Sequence, residues 1–376
     1  MDTKKDNTMV LLGAGASAEA GVPMSFAMTR KVIRHVCGRR QMLPTDRLLR
    51  FICESLIAND DLRGGDHEDL DLERVFTAVE LLGRRRDLDV APFIATWRSP
   101  LDELDPMPAF DESGYSRVGQ ALAFQMMEAL VASLITTEDS VRYLIPLVTA
   151  GRGRRGITIA TLNYDLSIEL ACALARVPVD TGLESWAAEG RWRWPRRGVR
   201  LLKLHGSMDW AWQQDDSNDV SQMPPRQVLL SDPDDPEVLE IDRALLFGHG
   251  NAKLRADGPF LPLLAQFESQ LAAASRLVII GYSFRDTHIN EVLRRWVNDD
   301  LQRNVIIVDP CFPDHDEIME SDPLLNMFRD DLYVTLHPDA YRRPGDRDGP
   351  DLFDLRVVVI RKRASEGIQE IFGCSR

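Results

Sequence analysis

Five short apolar runs, each followed at once by a glycine or polar cluster, constrain the fold of this chain more than any other feature. The clusters are GAGAS after residues 8–12, NYD after 156–162, HGS after 199–204, GYS after 276–280 and DP after 304–308. Helix-like segments alternate with these runs, which is typical of a parallel sheet. Ligands of open parallel sheets bind outside the carboxyl ends of the strands. We therefore expect the five clusters to lie together in space.

The pattern predicts an α/β fold with a Rossmann-like parallel sheet flanked by helices, and a large, mostly helical insertion after the first βα unit. Apolar residues at helical spacing, such as Val118, Leu122 and Met126, support the insertion. We expect the first βα unit over residues 1–30, the insertion over 31–152, the remainder of the sheet domain over 153–320 and a C-terminal strand and helix over 321–376.

Composition narrows the functional class. The five cysteines are scattered singly without a CxxC pair, which disfavours structural zinc and disulfides and fits a reducing cytoplasm. The first residues contain no apolar stretch of signal-peptide length, and no segment is long and apolar enough to cross a bilayer. The formal net charge of −14 repels nucleic acid on average. We expect a cytoplasmic protein that binds neither membranes nor nucleic acid directly.

The glycine cluster of the first run, Gly13-Ala14-Gly15 with Ser17, is typical of a nucleotide-binding βα unit. Its glycines allow the backbone to approach a pyrophosphate, and the N-terminus of the following helix supplies N–H groups. The hydroxyl of Ser17 adds a further donor. Such a turn is common by chance, but its position at the end of the first strand favours a phosphate site.

The second and third clusters carry candidate catalytic side chains. Asn163 combines a donor and an acceptor and can orient a ribose hydroxyl or a water molecule. Asp165 either does the same or caps the next helix. His205 ends an apolar strand and precedes a glycine, where an imidazole can act as a general base on a ribose hydroxyl. A helix cap at Asn-Tyr-Asp and a structural role for His205 are the competing interpretations.

The last two clusters offer further contacts. Gly281 and Ser283 are candidates for a second phosphate or ribose contact. Asp286 either caps a helix or faces the ligand, and His288 is expected to shape the start of that helix. Asp309 ends the next strand, where a carboxylate often accepts from the ribose of an adenosine. Its alternative role is to form a turn before a proline.

Several other catalytic classes lack their motifs. The sequence contains no GxSxG elbow, no GxxxxGK[ST] phosphate loop and no HExxH metal motif. Phosphoryl transfer and zinc-dependent hydrolysis are therefore disfavoured.

Taken in order, GAGAS with GVP, TLNYD, KLHGS and GYSF with Asp309 resemble the motif set of the SIR2 superfamily over residues 8–310. Each motif is weak alone, but the ordered set is specific. The resemblance implies a Rossmann domain that binds NAD. It places the glycine loop beside the phosphates, Asn163 at the nicotinamide ribose and His205 at the ribose hydroxyls.

Departures from the protein-deacylating sirtuins refine this resemblance. Met24-Ser25-Phe26 stands where those enzymes carry Asp-Phe-Arg, the two zinc-binding CxxC pairs are absent, and a helical segment replaces their small domain. The chain is similar instead to zinc-less SIR2-like effectors of bacterial antiphage defence, which deplete NAD. Residues 69–76 and 281–290 also look typical of that branch.

The resemblance therefore implies an NAD glycohydrolase that releases nicotinamide and ADP-ribose, with NAD as substrate and no metal. The alternatives are an NAD-dependent protein deacylase and a non-catalytic module that senses NAD or ADP-ribose. Because free NAD hydrolysis would be toxic in the cytoplasm, the resemblance also implies gating. We expect a homo-oligomer, a separate regulatory protein, or both, and favour a HerA-like ATPase over an Argonaute-like protein.

Overall fold

The chain divides into two compact units, Met1–Val22 with Thr136–Leu230 and Leu254–Arg376, and Pro23–Ile135 with Ser231–Lys253. The second unit overlaps the expected insertion at 31–152. The computed structural model describes residues 7–38, 43–62, 70–85, 103–104, 116–212, 228–230, 243–246, 258–300, 302–312 and 357–373.

The strands of the chain are mostly short and buried. They are β1 (Thr8–Leu12), β2 (Ile157–Thr161), β3 (Val179–Asp180), β4 (Val199–Lys203), β5 (Gly206–Trp212), β6 (Val228–Leu230), β7 (Arg243–Leu245), β8 (Arg276–Ile280), β9 (Asn304–Val308) and β10 (Val357–Ile360). Aliphatic residues dominate the sheet strands, as expected for parallel strands that are covered on both faces.

A seven-stranded parallel sheet forms the first unit, in the order β10-β9-β8-β1-β2-β4-β3. Without the short edge strand β3, this is the 3-2-1-4-5-6 order of doubly wound dinucleotide-binding sheets. The predicted Rossmann-like fold is therefore confirmed. The strand order reverses between β1 and β8, and the crevice beyond their carboxyl ends is where such sheets bind ligands.

Helices cover this sheet and complete its core. They are α5 (Ile145–Thr149), α6 (Ser167–Ala175), α7 (Leu183–Glu189), α8 (Phe260–Ala272), α9 (Thr287–Asp299) and α10 (Ala364–Phe372). The remaining helices belong to the second unit itself: α1 (Ser25–Cys37), α2 (Pro44–Leu62), α3 (Leu72–Gly83) and α4 (Arg117–Val131). Side chains such as Val10, Leu147, Ile159 and Ile368 form one buried cluster in the first unit.

The C-terminal segment completes the sheet. Val357 to Ile360 pair in parallel with Val305 to Val308. The helix α10 then packs on the sheet, because Ile368 is fully buried and Gly367 lies against Val308.

The second unit is mostly helical, with the short strand β7, and the starts of α3 and α4 follow local capping rules. The carboxylate of Asp71 accepts from Glu73 N at 2.9 Å to begin α3, and Ser116 Oγ accepts from Gly119 N at 2.9 Å to begin α4. The apolar faces of α3 and α4 pack together. Asp69 of the motif at 69–76 lies outside the described residues.

Two local predictions need correction. The helix expected directly after the glycine cluster does not begin there: the segment forms two 3-10 turns, Ala14–Ala16 and Ala18–Ala20, and α1 begins only at Ser25. Gly21 adopts a left-handed conformation at φ 90° and ends the second turn. In addition, the HGS cluster does not end in a loop: β5 begins at Gly206 and pairs antiparallel with β6. No helix in the described ranges has the length and apolarity needed to span a bilayer.

Candidate functional site

The glycine loop after β1 packs directly on the turn after β8. Gly13 N donates to Ile280 O at 3.0 Å, and Gly15 N donates to Gly281 O at 2.9 Å. A Cβ atom on Gly13 would lie 2.6 Å from Gly281 O, and one on Gly15 would lie 2.8 Å from Gly281 Cα. Both glycines are therefore required by the contact between the two loops.

Hydrogen bonds within the protein occupy most N–H groups of the glycine loop. Ala16 N donates to Gly13 O at 2.9 Å and Ser17 N donates to Ala14 O at 3.2 Å, in addition to the bonds of Gly13 and Gly15. Because a 3-10 turn follows, the helix N-terminus expected to face a pyrophosphate does not directly follow the loop. The exposed Ala14 remains the part of the loop that is open to a ligand.

Asn163 is held by the glycine loop. Its Nδ2 donates to Gly13 O and to Ser17 Oγ, both at 2.9 Å, and its backbone N donates to Thr161 Oγ1 at 3.1 Å. Both amide hydrogens are thus used inside the protein. The remaining polar group of the side chain is the carbonyl Oδ1, an acceptor for a hydroxyl or a water.

Asp165 lies just before the helix α6. Its Oδ1 accepts from Ser167 N at 3.0 Å in the turn that leads into the helix. The N-cap residue of α6 is Leu166, so Asp165 does not take the capping role considered from the sequence. Its Oδ2 is buried without a hydrogen-bond partner and lies beside a small cavity that Ser17 and Asn163 also line. Asp165 therefore forms the turn before α6 and lines the same cavity as Asn163.

A buried lysine supports this loop, and the sequence interpretation did not single it out. Lys203 is fully buried, and its Nζ donates to Asp165 O at 2.6 Å and to Glu169 Oε1 at 2.9 Å. It connects β4 to the segment that follows β2. The available signal was a lysine between two leucines, Leu202 and Leu204, at the end of the run VRLLKL.

His205 lies in the junction between β4 and β5 and is only 3% exposed. Its Nε2 lies 3.9 Å from Asp286 Oδ1, an ion-pair distance when the ring is protonated. The ring centroid lies 5.8 Å from that of His288 and 6.5 Å from that of Tyr164. The structure thus brings the third and fourth clusters together around one imidazole.

Asp286 occupies the N-cap position of α9, but its side chain does not form a capping hydrogen bond. The capping role considered for it is therefore not formed, and its Oδ1 lies 3.9 Å from His205 Nε2. His288, the second residue of α9, does begin the helix as expected and also faces His205.

A buried clamp holds the turn between β8 and α9. Tyr282 OH donates to Asn290 Oδ1 at 2.8 Å, and Asn290 Nδ2 donates to Phe284 O at 2.7 Å. Burial raises the pKa of Tyr282 well above its ordinary value, so its hydroxyl stays protonated as a donor. Ser283 lies in this turn and is exposed.

Asp309 follows β9 and shapes the turn there. Its Oδ1 accepts from Cys311 N at 2.8 Å, and its backbone N donates to Ile360 O at 3.2 Å. This is the turn-forming role considered from the sequence. The β9 end also contacts the site, because Gly281 N donates to Val308 O at 2.9 Å.

Direct contacts therefore join the segments of the first four clusters along the carboxyl edge. The fifth cluster follows β9, whose last residue, Val308, accepts the hydrogen bond from Gly281 N. Within the described ranges, no group of three or more His, Cys, Asp or Glu side chains is arranged to hold a metal ion. Cys37, Cys53, Cys172 and Cys311 are free thiols, and Cys374 lies outside the described residues.

This edge coincides with a family match. Residues 157–326 match the family model of the SIR2-like domain. The matched range includes Asn163, His205 and Asp286 but not the glycine loop, which the bonds from Asn163 to Gly13 and Ser17 join to it. No curated protein sequence matches the chain significantly.

Solved Sir2 structures are similar at low identity. A Sir2 enzyme is 12% identical with a TM-score of 0.39, and the alignment covers 98% of this chain and 92% of that chain. A Sir2 homologue in complex with NAD is 14% identical with a TM-score of 0.37, covering 98% and 88%. A Sir2 homologue variant in complex with ADP-ribose is 11% identical with a TM-score of 0.39, covering 98% and 90%.

Proposed function

We propose that this chain binds NAD at the carboxyl edge beside β1 and β8 and hydrolyses the bond between nicotinamide and ribose. The observation that carries the proposal is that Asn163 and His205 each lie against another segment of this edge. The glycine loop orients the first, Asp286 lies beside the second, and both fall in the range that matches a SIR2-like domain.

The site fits the parts of NAD in the following way. Asn163 Oδ1 is available to accept from a ribose hydroxyl or a water, because both amide hydrogens are already bonded. The glycine loop, with Ala14 exposed, lies at the strand-order reversal where dinucleotide phosphates bind in such sheets. We assign Gly13, Gly15, Ser17, Gly281 and Ser283 to the phosphate and ribose surroundings. Asp165 and Asp309 each keep a second carboxylate oxygen for this role.

The reaction needs little acid catalysis. The C1′–N bond breaks with its electron pair moving to nicotinamide, which leaves as a neutral molecule, through an oxocarbenium-like state. A water then bonds to C1′ and loses a proton, so ADP-ribose is the second product. Asn163 positions the ribose and the water. His205 activates the ribose hydroxyl or accepts the proton from the water.

The test is NAD consumption by the purified chain, with products separated by chromatography. We expect nicotinamide and ADP-ribose, and a loss of about 100-fold or more in turnover for Asn163→Ala and for His205→Ala. His35→Ala and Asn298→Ala remove the same side-chain types at exposed positions and should retain full turnover. Near-normal turnover in His205→Ala would refute the role given to that residue.

Other outcomes would identify the alternative functions. O-acetyl-ADP-ribose formed from an acetyl-lysine peptide would show deacylation. Tight binding of NAD or ADP-ribose without turnover, even in an assembled complex, would show a sensing module. Calorimetric titration with ADP-ribose on wild type and His205→Ala separates a binding defect from a catalytic one.

We further propose that the activity serves antiphage defence in the cytoplasm and is gated by assembly. The proposal rests on the resemblance of the motifs and on the hazard of free NAD hydrolysis. The proposed contact surface is the helical insertion expected over residues 31–152. The proposed partner is a second copy of the chain or a separate HerA-like ATPase, with an Argonaute-like protein as the alternative. Light scattering combined with the NAD assay tests this: a monomer that is fully active alone would contradict gating.

A further inference from the structure

The carboxylate of Asp286 lies near the imidazole of His205, although its position at the start of α9 would favour a helix cap. Aspartate at an N-cap normally accepts from the backbone N–H groups of the first helical turn. Asp286 sits at that position of α9 without this bond, and its Oδ1 lies 3.9 Å from His205 Nε2. Its side chain is 13% exposed, and that of His205 is 3% exposed. An interaction between them is therefore weakly screened.

The turn that carries Asp286 is held in a costly conformation. Phe284 has a positive φ of 58°, which a bulky residue seldom adopts. The buried pair of Tyr282 and Asn290 fixes the turn, since Asn290 Nδ2 donates to Phe284 O at 2.7 Å and Tyr282 OH contacts Asp286 O at 3.3 Å. Strained backbone that the surroundings hold in place is concentrated at functional sites. Here the strained turn places the Asp286 carboxylate and the His288 ring beside His205.

We infer that Asp286 is a positioning residue for His205, and that the clamped turn between β8 and α9 exists to present it. The carboxylate lies 3.9 Å from Nε2, and its negative charge favours a proton on that nitrogen. The inference rests on the proposed function for its catalytic consequence, but the contact with His205 can be tested without turnover.

The first measurement is the ¹⁵N spectrum of histidine-labelled protein without NAD. The imidazole ¹⁵N shifts report which ring nitrogen carries the proton, and the resonances of His205 are identified by their loss in His205→Gln. We expect Asp286→Asn to change the His205 shifts. Glu291→Gln removes a carboxylate from the exposed face of the same helix and should leave them unchanged. Unchanged His205 shifts in folded Asp286→Asn would overturn the inference.

The second measurement separates positioning from a structural role. We expect Asp286→Asn to lower kcat for NAD by about tenfold or more while KM stays within about threefold. Asp286→Glu should recover part of the loss because it restores the carboxylate. Glu291→Gln should match the wild type. Equal activity of Asp286→Asn and wild type would also overturn the inference.

Folding is controlled by a second variant. Asp286→Ser removes the carboxylate but supplies a favourable N-cap residue. We expect it to be at least as stable as wild type and to show the same His205 shifts and kcat loss as Asp286→Asn. If Asp286→Ser restored wild-type kcat, Asp286 would be a helix-start residue only. If wild type lacked NAD turnover altogether, the proposed function would fail while the ¹⁵N spectra still decided the contact.

Discussion

Replacing Lys203 by methionine tests how the interior behind the site is held together. Methionine keeps the length and the apolar stem of the lysine side chain but removes its charge. The change deletes the bonds to Asp165 O at 2.6 Å and to Glu169 Oε1 at 2.9 Å. Glu169 is then left without its cation. Its side chain is 21% exposed as a whole, but its Oε2 atom is buried without a hydrogen-bond partner.

The expected loss of stability in Lys203→Met follows from the burial of the ion pair between Lys203 and Glu169. Removing one partner of a buried ion pair destabilises a protein by about 3–5 kcal/mol, since a buried charge is left uncompensated. The partial exposure of Glu169 places the expected value near the lower end, at about 3 kcal/mol. An exposed pair provides the control: Lys362 Nζ lies 2.7 Å from Glu370 Oε2 with both side chains about half exposed. Lys362→Met should cost no more than about 1 kcal/mol.

The destabilisation caused by Lys203→Met should also depend on pH. Burial raises the pKa of Glu169, and Lys203 opposes that rise. A carboxyl with a raised folded pKa binds more protons when folded, so its penalty is absent at low pH and grows as the pH rises through the folded pKa. Removing Lys203 raises that pKa further. The variant should therefore lose more stability, relative to wild type, near pH 8 than near pH 5.

Urea denaturation followed by tryptophan fluorescence measures these free energies of unfolding. Glu169→Met and the double variant Lys203→Met with Glu169→Met complete a double-mutant cycle. The double variant should be more stable than the sum of the single costs predicts, by about 1–3 kcal/mol. Additive costs, or a Lys203→Met cost below about 1 kcal/mol at both pH values, would refute the assignment of a buried, coupled pair.

Two further predictions concern the loop contact and the thiols. Gly281→Ala should destabilise the protein by about 3 kcal/mol or more in thermal unfolding, since Gly281 has φ 61° and a Cβ would lie 2.6 Å from Gly15 Cα. The control Gly190→Ala, at φ 65° with open space around it, should cost only about 1–2 kcal/mol. Equal losses of stability in the two variants would contradict the loop contact. Burial raises the pKa of Cys53 and Cys172 to about 12. Alkylation of the folded protein at mildly alkaline pH should therefore modify exposed Cys311 before these two thiols. Mass spectrometry that showed Cys172 labelled as fast as Cys311 would contradict that burial.

Much of the fold could be predicted because the signals are local. The apolar runs at 276–280 and 304–308 coincide with β8 and β9, and the turn residues after them occur where strands must end. Alternating strands and helices allow few sheet topologies, so a parallel sheet followed from the pattern. Convergence of the clusters then followed from the carboxyl-edge rule.

Other features were missed because they depend on partners distant in the sequence. The spacing of GAGAS indicated phosphate binding, yet Gly13 and Gly15 are also glycines because the Gly281 turn lies against them. Nothing near Asp286 in the sequence indicates that its carboxylate turns away from its own helix toward His205. β5 was missed because the HGS cluster was interpreted as the end of the preceding strand, whereas Gly206 begins a new one.

The sequence by itself determined the order of strands and helices, the positions of the strand ends and the identity of Asn163 and His205 as candidates. These depend on periodicity, turn chemistry and ordered motifs, which act over a few residues. The tertiary structure alone decided what surrounds them: the glycine loop that orients Asn163, the Asp286 carboxylate beside His205 and the buried Lys203. Such contacts join segments up to 150 residues apart, and they form only when the sheet brings the strand ends together.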